Sequence, residues 1–200
     1  DTFLNNLDLG LNITNFKTEQ KNPLFSNART GWVMRNGTGR NTSEGIEFNA
    51  NWKPTNSKFG LNFGYTFTDS YDASTCDPDE LAAYTDNECR LTGNKVAKAK
   101  VRVPRHAVKT NISYSMNQNL KIFLKGTYIG ETRDFGNTND SWTDQILTDY
   151  FVFDLVHSYN LFDNYKIQIG INNILDEKYQ QAHEYSTMGR TFNFGLKRLY

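Results

Sequence analysis

The chain has 200 residues, with 22 Lys+Arg balanced by 22 Asp+Glu, so its net charge gives no argument for nucleic acid or an acidic partner. Mean hydropathy is −0.66, and no run of ~18 apolar residues occurs, which excludes a membrane-crossing helix. A membrane-crossing β-strand stays open, because only alternate residues of such a strand meet lipid.

Asp1-Thr2-Phe3-Leu4 has no basic stretch followed by an apolar run, so we expect a mature chain or one cut from something larger. Period-2 alternation then begins. Leu7, Leu9, Leu11 and Ile13 alternate with Asp8, Gly10, Asn12 and Thr14. Ile46, Phe48, Ala50 and Trp52 alternate with Glu47, Asn49 and Asn51, and Phe59, Leu61, Phe63, Tyr65 and Phe67 with Gly60, Asn62, Gly64, Thr66 and Thr68. Val108, Thr110, Ile112 and Tyr114 oppose Lys109, Asn111 and Ser113. In the fifth segment Leu120, Ile122, Leu124 and Tyr128 oppose Lys121, Lys125 and Thr127, but Phe123 and Ile129 fall on the polar side. Phe151, Phe153, Leu155 and Tyr159 oppose Asp154 and Ser158; Tyr165, Ile167, Ile169 and Ile171 oppose Lys166, Gln168, Gly170 and Asn172. Finally Phe192, Phe194, Leu196 and Tyr200 oppose Thr191, Asn193, Gly195 and Lys197, with Arg198 interrupting the apolar face near the end. This periodicity predicts strands, not helices. Eight segments near the ~9–11 residues of a tilted membrane strand predict an all-β, antiparallel transmembrane β-barrel wall built as a meander.

Connections alternate in length. Short polar links at Lys53 to Lys58, Met116 to Asn119 and Asn160 to Asn164 predict tight turns. Long links are expected at Thr18 to Thr30, Tyr71 to Arg102, Arg133 to Leu147 and Asp176 to Met188. Periplasmic turns and extracellular loops alternate in this way in outer-membrane barrels, whereas a soluble sandwich rarely holds such long loops. Trp32, Trp52, Tyr65, Tyr114, Tyr128, Tyr159 and Tyr165 stand near strand ends, where aromatic rings form interfacial girdles; packing in a sandwich core would use them equally well.

Both cysteines, Cys76 and Cys89, fall in the longest link. In an oxidising exterior we expect them to form a disulfide, worth ~3 kcal/mol by loop entropy. Asp77, Asp79, Glu80, Asp86 and Glu88 offer oxygen ligands of the kind calcium takes, without an EF-hand spacing. Arg90, Lys95, Lys98, Lys100, Arg102 and Arg105 follow, either as solvated charge or facing lipopolysaccharide phosphates or an anionic ferric chelate. Phe135, Trp142, Tyr179 and Tyr185 are candidates for stacking on a ligand, or for packing loops together. His106, His157 and His183 are scattered and no catalytic motif is present, so catalysis is not expected.

Asn172-Asn173-Ile174-Leu175-Asp176-Glu177-Lys178-Tyr179, then Gly189-Arg190 and a terminal strand ending in an aromatic, resembles the closing signature of TonB-dependent receptors. Asn36-Gly37 with Glu44-Gly45-Ile46-Glu47, Val103-Pro104-Arg105-His106 and the inward Asp154 resemble upstream pieces of the same family in the same order. Tyr200 departs from the commoner terminal Phe. The resemblance implies that residues 1–200 form the C-terminal part of a 22-strand barrel, about its last third, with the plug domain and TonB-contacting box absent from this chain. It further implies an outer-membrane receptor for scarce metal chelates, closest in look to cobalamin and siderophore receptors, with no resident cofactor. The implied partners are the chelate, the inner-membrane TonB complex acting through the plug, lipopolysaccharide, and the barrel assembly machinery, for which Phe192, Phe194, Gly195 and Tyr200 would be the signal. A stand-alone eight-strand pore or membrane enzyme is the alternative; a soluble sandwich fits the polar faces poorly.

Overall fold

The computed structural model describes residues 8–22, 24–25, 33–36, 40–72, 98–138, 141–162 and 164–198. Its strands are β1 (Leu9–Lys21), β2 (Leu24–Phe25), β3 (Arg35–Asn36), β4 (Arg40–Trp52), β5 (Phe59–Asp72), β6 (Lys98–Ala99) and β7 (His106–Ser115). They continue with β8 (Leu120–Ile129), β9 (Thr132–Thr138), β10 (Ser141–Leu147), β11 (Tyr150–Leu161), β12 (Tyr165–Asn172) and β13 (Thr191–Arg198). Eight of them form one antiparallel meander in the order β1-β4-β5-β7-β8-β11-β12-β13, with β6 pairing beside the end of β5; β2–β3 and β9–β10 are separate two-stranded pairs.

Register converts the alternation into two faces. Across the wall runs the row Leu9, Trp52, Leu61, Ile112, Leu124, Leu155, Ile171 and Phe192, one apolar residue from each strand. The adjacent row on the other face reads Gly10, Asn51, Asn62, Asn111, Lys125 and Asp154. A slip of one residue in any pair would turn a whole strand's apolar set to the wrong side. The wall has no core of its own: among the described residues Leu147 alone is a buried hydrophobe, while Ile13, Phe192 and Phe194 are at least 70% exposed. The surface of 14510 Å² exceeds the ~9,600 Å² expected of a compact protein of this mass. Lipid, not protein, covers the apolar face.

The links at 53–58 and 116–119 turn at one end, and the β9–β10 hairpin and residues 173–190 lie at the other. Asn117 Oδ1 accepts the Asn119 and Leu120 amides at 2.9 and 2.8 Å and closes the β7–β8 turn. In the β4–β5 turn Asn56 is left-handed (φ 63), the Ser57 amide donates to the Pro54 carbonyl at 3.0 Å, and the Thr55 amide and hydroxyl both donate to Asp8.

Two expectations change and one is met. Strand β1 continues to Lys21, and its pairing with β4 runs as far as Lys21↔Arg40, so the first long link begins later than Thr18. Above the apolar band the outward row becomes charged, with Lys17 Nζ 3.0 Å from Glu44. Arg133 to Leu147 is not an irregular loop; it forms the β9–β10 hairpin, paired from Ser141↔Thr138 to Leu147↔Thr132. The irregular fifth segment is real and local: Phe123 pairs with Ser113 and Val156, and Ile129 with Ala107 and Tyr150, two separate apolar points on the inner face with Lys125 and Thr127 between them.

Candidate ligand-capturing loop platform

At the long-link end, one carboxylate joins three segments. Asp134 on β9 is fully buried. Its Oδ1 accepts from Arg102 Nε at 2.9 Å and its Oδ2 from the His183 backbone amide at 2.7 Å. The Arg102 amide in turn donates to the Arg133 carbonyl at 2.8 Å, with Arg102 itself left-handed (φ 60). Gly136 lets the hairpin approach: a Cβ there would run into the His183 imidazole. A buried carboxylate needs such partners, because leaving one unmet costs more than an ordinary hydrogen bond contributes.

The segment after β12 is folded by its own side chains. Asn173, buried and left-handed (φ 51), donates from Nδ2 to the Glu177 carbonyl at 2.9 Å and accepts the Glu177 amide at 2.8 Å. Its own amide donates to Asp154 Oδ1 at 2.9 Å, which gives the inward Asp154 a structural task. Asp176 Oδ1 takes the Arg190 amide at 2.7 Å, and a Cβ on Gly189 would sit 2.5 Å from that oxygen. The side-chain pattern Asn173, Asp176, Gly189 is therefore a loop-closing device that returns the chain to β13.

Between this segment and β10 lies a cleft of about 620 Å³, lined among others by Gln145, Thr148, Tyr179, Gln180, His183 and Thr187. That volume suits a drug-sized ligand. Tyr179 forms one wall and is fixed by stacking on Tyr150 (centroids 4.2 Å apart), while the Thr187 hydroxyl donates to its carbonyl at 2.7 Å. Amide, hydroxyl and imidazole groups thus converge around one ordered aromatic ring.

The other sequence candidates scatter. Tyr185 is 72% exposed beside an Ala182 bridge. Phe135 and Trp142 lie on β9 and β10, opposite Asp144 and Asn137. Phe192, Phe194 and Gly195 are on β13, the two rings outward. Cys76, Asp77, Asp79, Glu80, Asp86, Glu88, Cys89 and Tyr200 lie outside the described residues. Among the described residues no group of three or more His, Cys, Asp or Glu is placed to hold a metal ion. Asp134 was not foreseen; no local motif marks it, since its partners lie 32 and 49 residues away.

The family model described as "TonB dependent receptor-like, beta-barrel" matches residues 2–174. No curated protein sequence matches. Among solved structures, the chain is similar to the ferripyoverdine receptor of the outer membrane of Pseudomonas aeruginosa (TM-score 0.69, 15% identity), covering 96% of this chain and 25% of that one. It is similar also to the ferric-catecholate import receptor Fiu of E. coli (0.68, 18%) and the siderophore receptor PiuA of Acinetobacter baumannii (0.63, 21%), each with the same 96% and 25% coverage. The chain spans about a quarter of the length of these relatives.

Proposed function

The chain belongs to the TonB-dependent receptor β-barrel family of the bacterial outer membrane, and from that premise we propose that it is the C-terminal wall of a receptor importing a metal chelate of the siderophore class. Plug and TonB-contacting box then lie in a part of the protein outside this chain, and energy from the inner-membrane complex acts through them. The observation that carries the reading is the pairing of a continuous lipid-facing row with a built, aromatic-walled cleft at the long-loop end. Strands β1 and β13 stand at opposite ends of the sheet order without pairing to each other. Open edges are not tolerated in lipid, which supports further strands completing the wall over a stand-alone eight-strand pore.

A siderophore-class chelate is favoured over cobalamin by the similarity to receptors for ferripyoverdine, a ferric catecholate and a siderophore. The cleft chemistry agrees, since Thr148 and His183 line it with hydroxyl and imidazole groups that suit the oxygens wrapped around a ferric ion. The test is fluorescence titration of the full-length protein with ferric catecholate, ferric hydroxamate and cyanocobalamin. Saturable binding of a ferric chelate, weakened by Tyr179→Ala, is the expected result. Binding of cyanocobalamin alone, or of none of the three, overturns the ligand class.

A further inference from the structure

We propose a second ligand site on the inner face of the wall: a patch built around Lys109 and Lys125 that binds a small multivalent oxygen anion, such as a tricarboxylate. It is separate from the loop cleft. It rests on the proposed receptor barrel, whose lumen this face lines, and not on the identity of the imported chelate. The cavity there, about 890 Å³, is lined among others by Asn12, Asn49, Asn51, Asn62, Lys109 and Lys125.

Register puts both lysines at membrane depth. Lys109 pairs with Thr127 and Lys125 with Asn111, so they are diagonal neighbours on one face, about 7–8 Å apart at their bases. Val108 and Leu124, each one step before, belong to the lipid-facing set. Charged side chains at that depth are uncommon and turn toward water-filled paths, where cationic groups select anions.

The two ammonium groups are unmatched. Among the described residues neither makes a hydrogen bond or an ion pair, and none of those lining the cavity is Asp or Glu. Asp154 lies directly opposite Lys125 in register, but its Oδ1 accepts the Asn173 amide at 2.9 Å. Glu47, also inward, stands between Thr14 and Thr66, one row above Lys109. Two flexible ammonium groups at this spacing can close on one anion that carries more than one charged oxygen group. The carboxamides supply N–H donors to its other oxygens. Asn12 is already turned for this, since its Oδ1 accepts the Thr14 hydroxyl at 2.9 Å and leaves its N–H groups for a ligand. A monovalent anion engages one lysine only, and an uncharged polyol engages neither. A ligand leaving the loop cleft for the periplasm passes this patch, so cargo with anionic oxygens gains a second foothold inside the wall.

Amine acylation of the full-length protein in micelles, read site by site by mass spectrometry, tests this with citrate, acetate and xylitol as probes at matched ionic strength. Citrate should slow the labelling of Lys109 and Lys125 along one saturation curve, to about a tenth once it exceeds its dissociation constant about tenfold. Lys58, in the β4–β5 turn, should be unaffected, and equal concentrations of acetate or xylitol should change none of the three. Lys125→Gln should raise the citrate concentration that half-protects Lys109 about tenfold, whereas Lys125→Arg should keep it near the original. Heat-modifiable gel mobility checks that both variants still fold. Equal labelling with and without citrate, equal protection of Lys58, or unchanged protection of Lys109 in the folded Lys125→Gln protein overturns the site. Both lysines unreactive before any probe is added also overturns it, because the plug then covers the patch. No chelate enters the experiment, so its failure leaves the loop cleft untouched, and a failure of chelate binding at the cleft leaves this site untouched.

Discussion

Asp134 and His183 are 49 residues apart in the chain and meet through one hydrogen bond of 2.7 Å, the His183 amide donating to a carboxylate with no solvent exposure. That bond, with the one from Arg102, makes the β9–β10 hairpin and the 173–190 segment a single body. Asp134→Ala removes the acceptor from two donors at once; the half-exposed Arg102 side chain can turn to water, so the cost of about 1–3 kcal/mol falls on the His183 amide. We expect the 173–190 segment to be cut by protease at least about tenfold faster, with wall melting little changed. Asp134→Asn keeps one acceptor and should fall between. Equal cutting rates in all three proteins would refute the coupling.

Gly45 is required by space. It is buried, and a Cβ there would strike the Phe67 carbonyl oxygen and lie 2.8 Å from Phe16 Cζ. Phe16 pairs with Gly45 across β1 and β4, so its ring covers the strand that lacks a side chain. Gly45→Ala should cost about 1–3 kcal/mol, as overpacking does, and Gly45→Ala with Phe16→Leu should recover only the side-chain part. Denaturant unfolding in micelles measures both.

The two faces should respond differently to charge. Leu124→Arg places a guanidinium in the middle of the lipid-facing row and should cost about 2–4 kcal/mol. Asn62→Arg, one row away on the other face, should stay within about 0.5 kcal/mol. Unfolding titrations in lipid vesicles compare them; equal losses would remove the assignment of faces.

At the short-turn end, hydrogen bonds from the Thr55 hydroxyl and then the Thr55 amide hold the Asp8 carboxyl below its ordinary 3.8. A depressed carboxylate stabilises the folded form above its unfolded value, and this is lost as pH falls through the folded value. Protection of the Thr55 amide relative to its intrinsic exchange rate should therefore be held above pH 3.8 and fall below it, and Asp8→Asn should remove that fall while leaving the other turns unaffected.

We expect Cys76 and Cys89 to be joined. The intact protein should take up alkylating reagent at both positions only after reduction, and reduction should cost about 3 kcal/mol or less, because the two cysteines are close in sequence and loop-closure entropy is correspondingly small.

The wall was legible in the sequence because each strand writes its own face: Ile112 and Leu124 can be assigned to lipid without knowing their partners, and register brings them together. Phe123 and Ile129 were visible as exceptions, but that they meet Val156 and Tyr150 required the pairing of β8 with β11. The β9–β10 hairpin is hidden in the sequence because Asp134, Gly136 and Asn137 suppress the apolar alternation within its short strands. The closing segment was recognised by resemblance, and the hydrogen bonds of Asn173 and Asp176 supply the physical reason. The Arg102–Asp134–His183 junction was invisible, since no period or short motif links groups so distant along the chain.

The packing of Gly136 against the His183 ring has a bearing on receptor engineering and on natural recombination. A hairpin transplanted from another receptor, bringing any side chain at that position, would collide with the resident segment, so the two should be inherited as one cassette. Crossovers that fall between residues 138 and 173 would split it, whereas exchanges that carry 130–190 whole onto a wall with arginine at position 102 would keep the junction together.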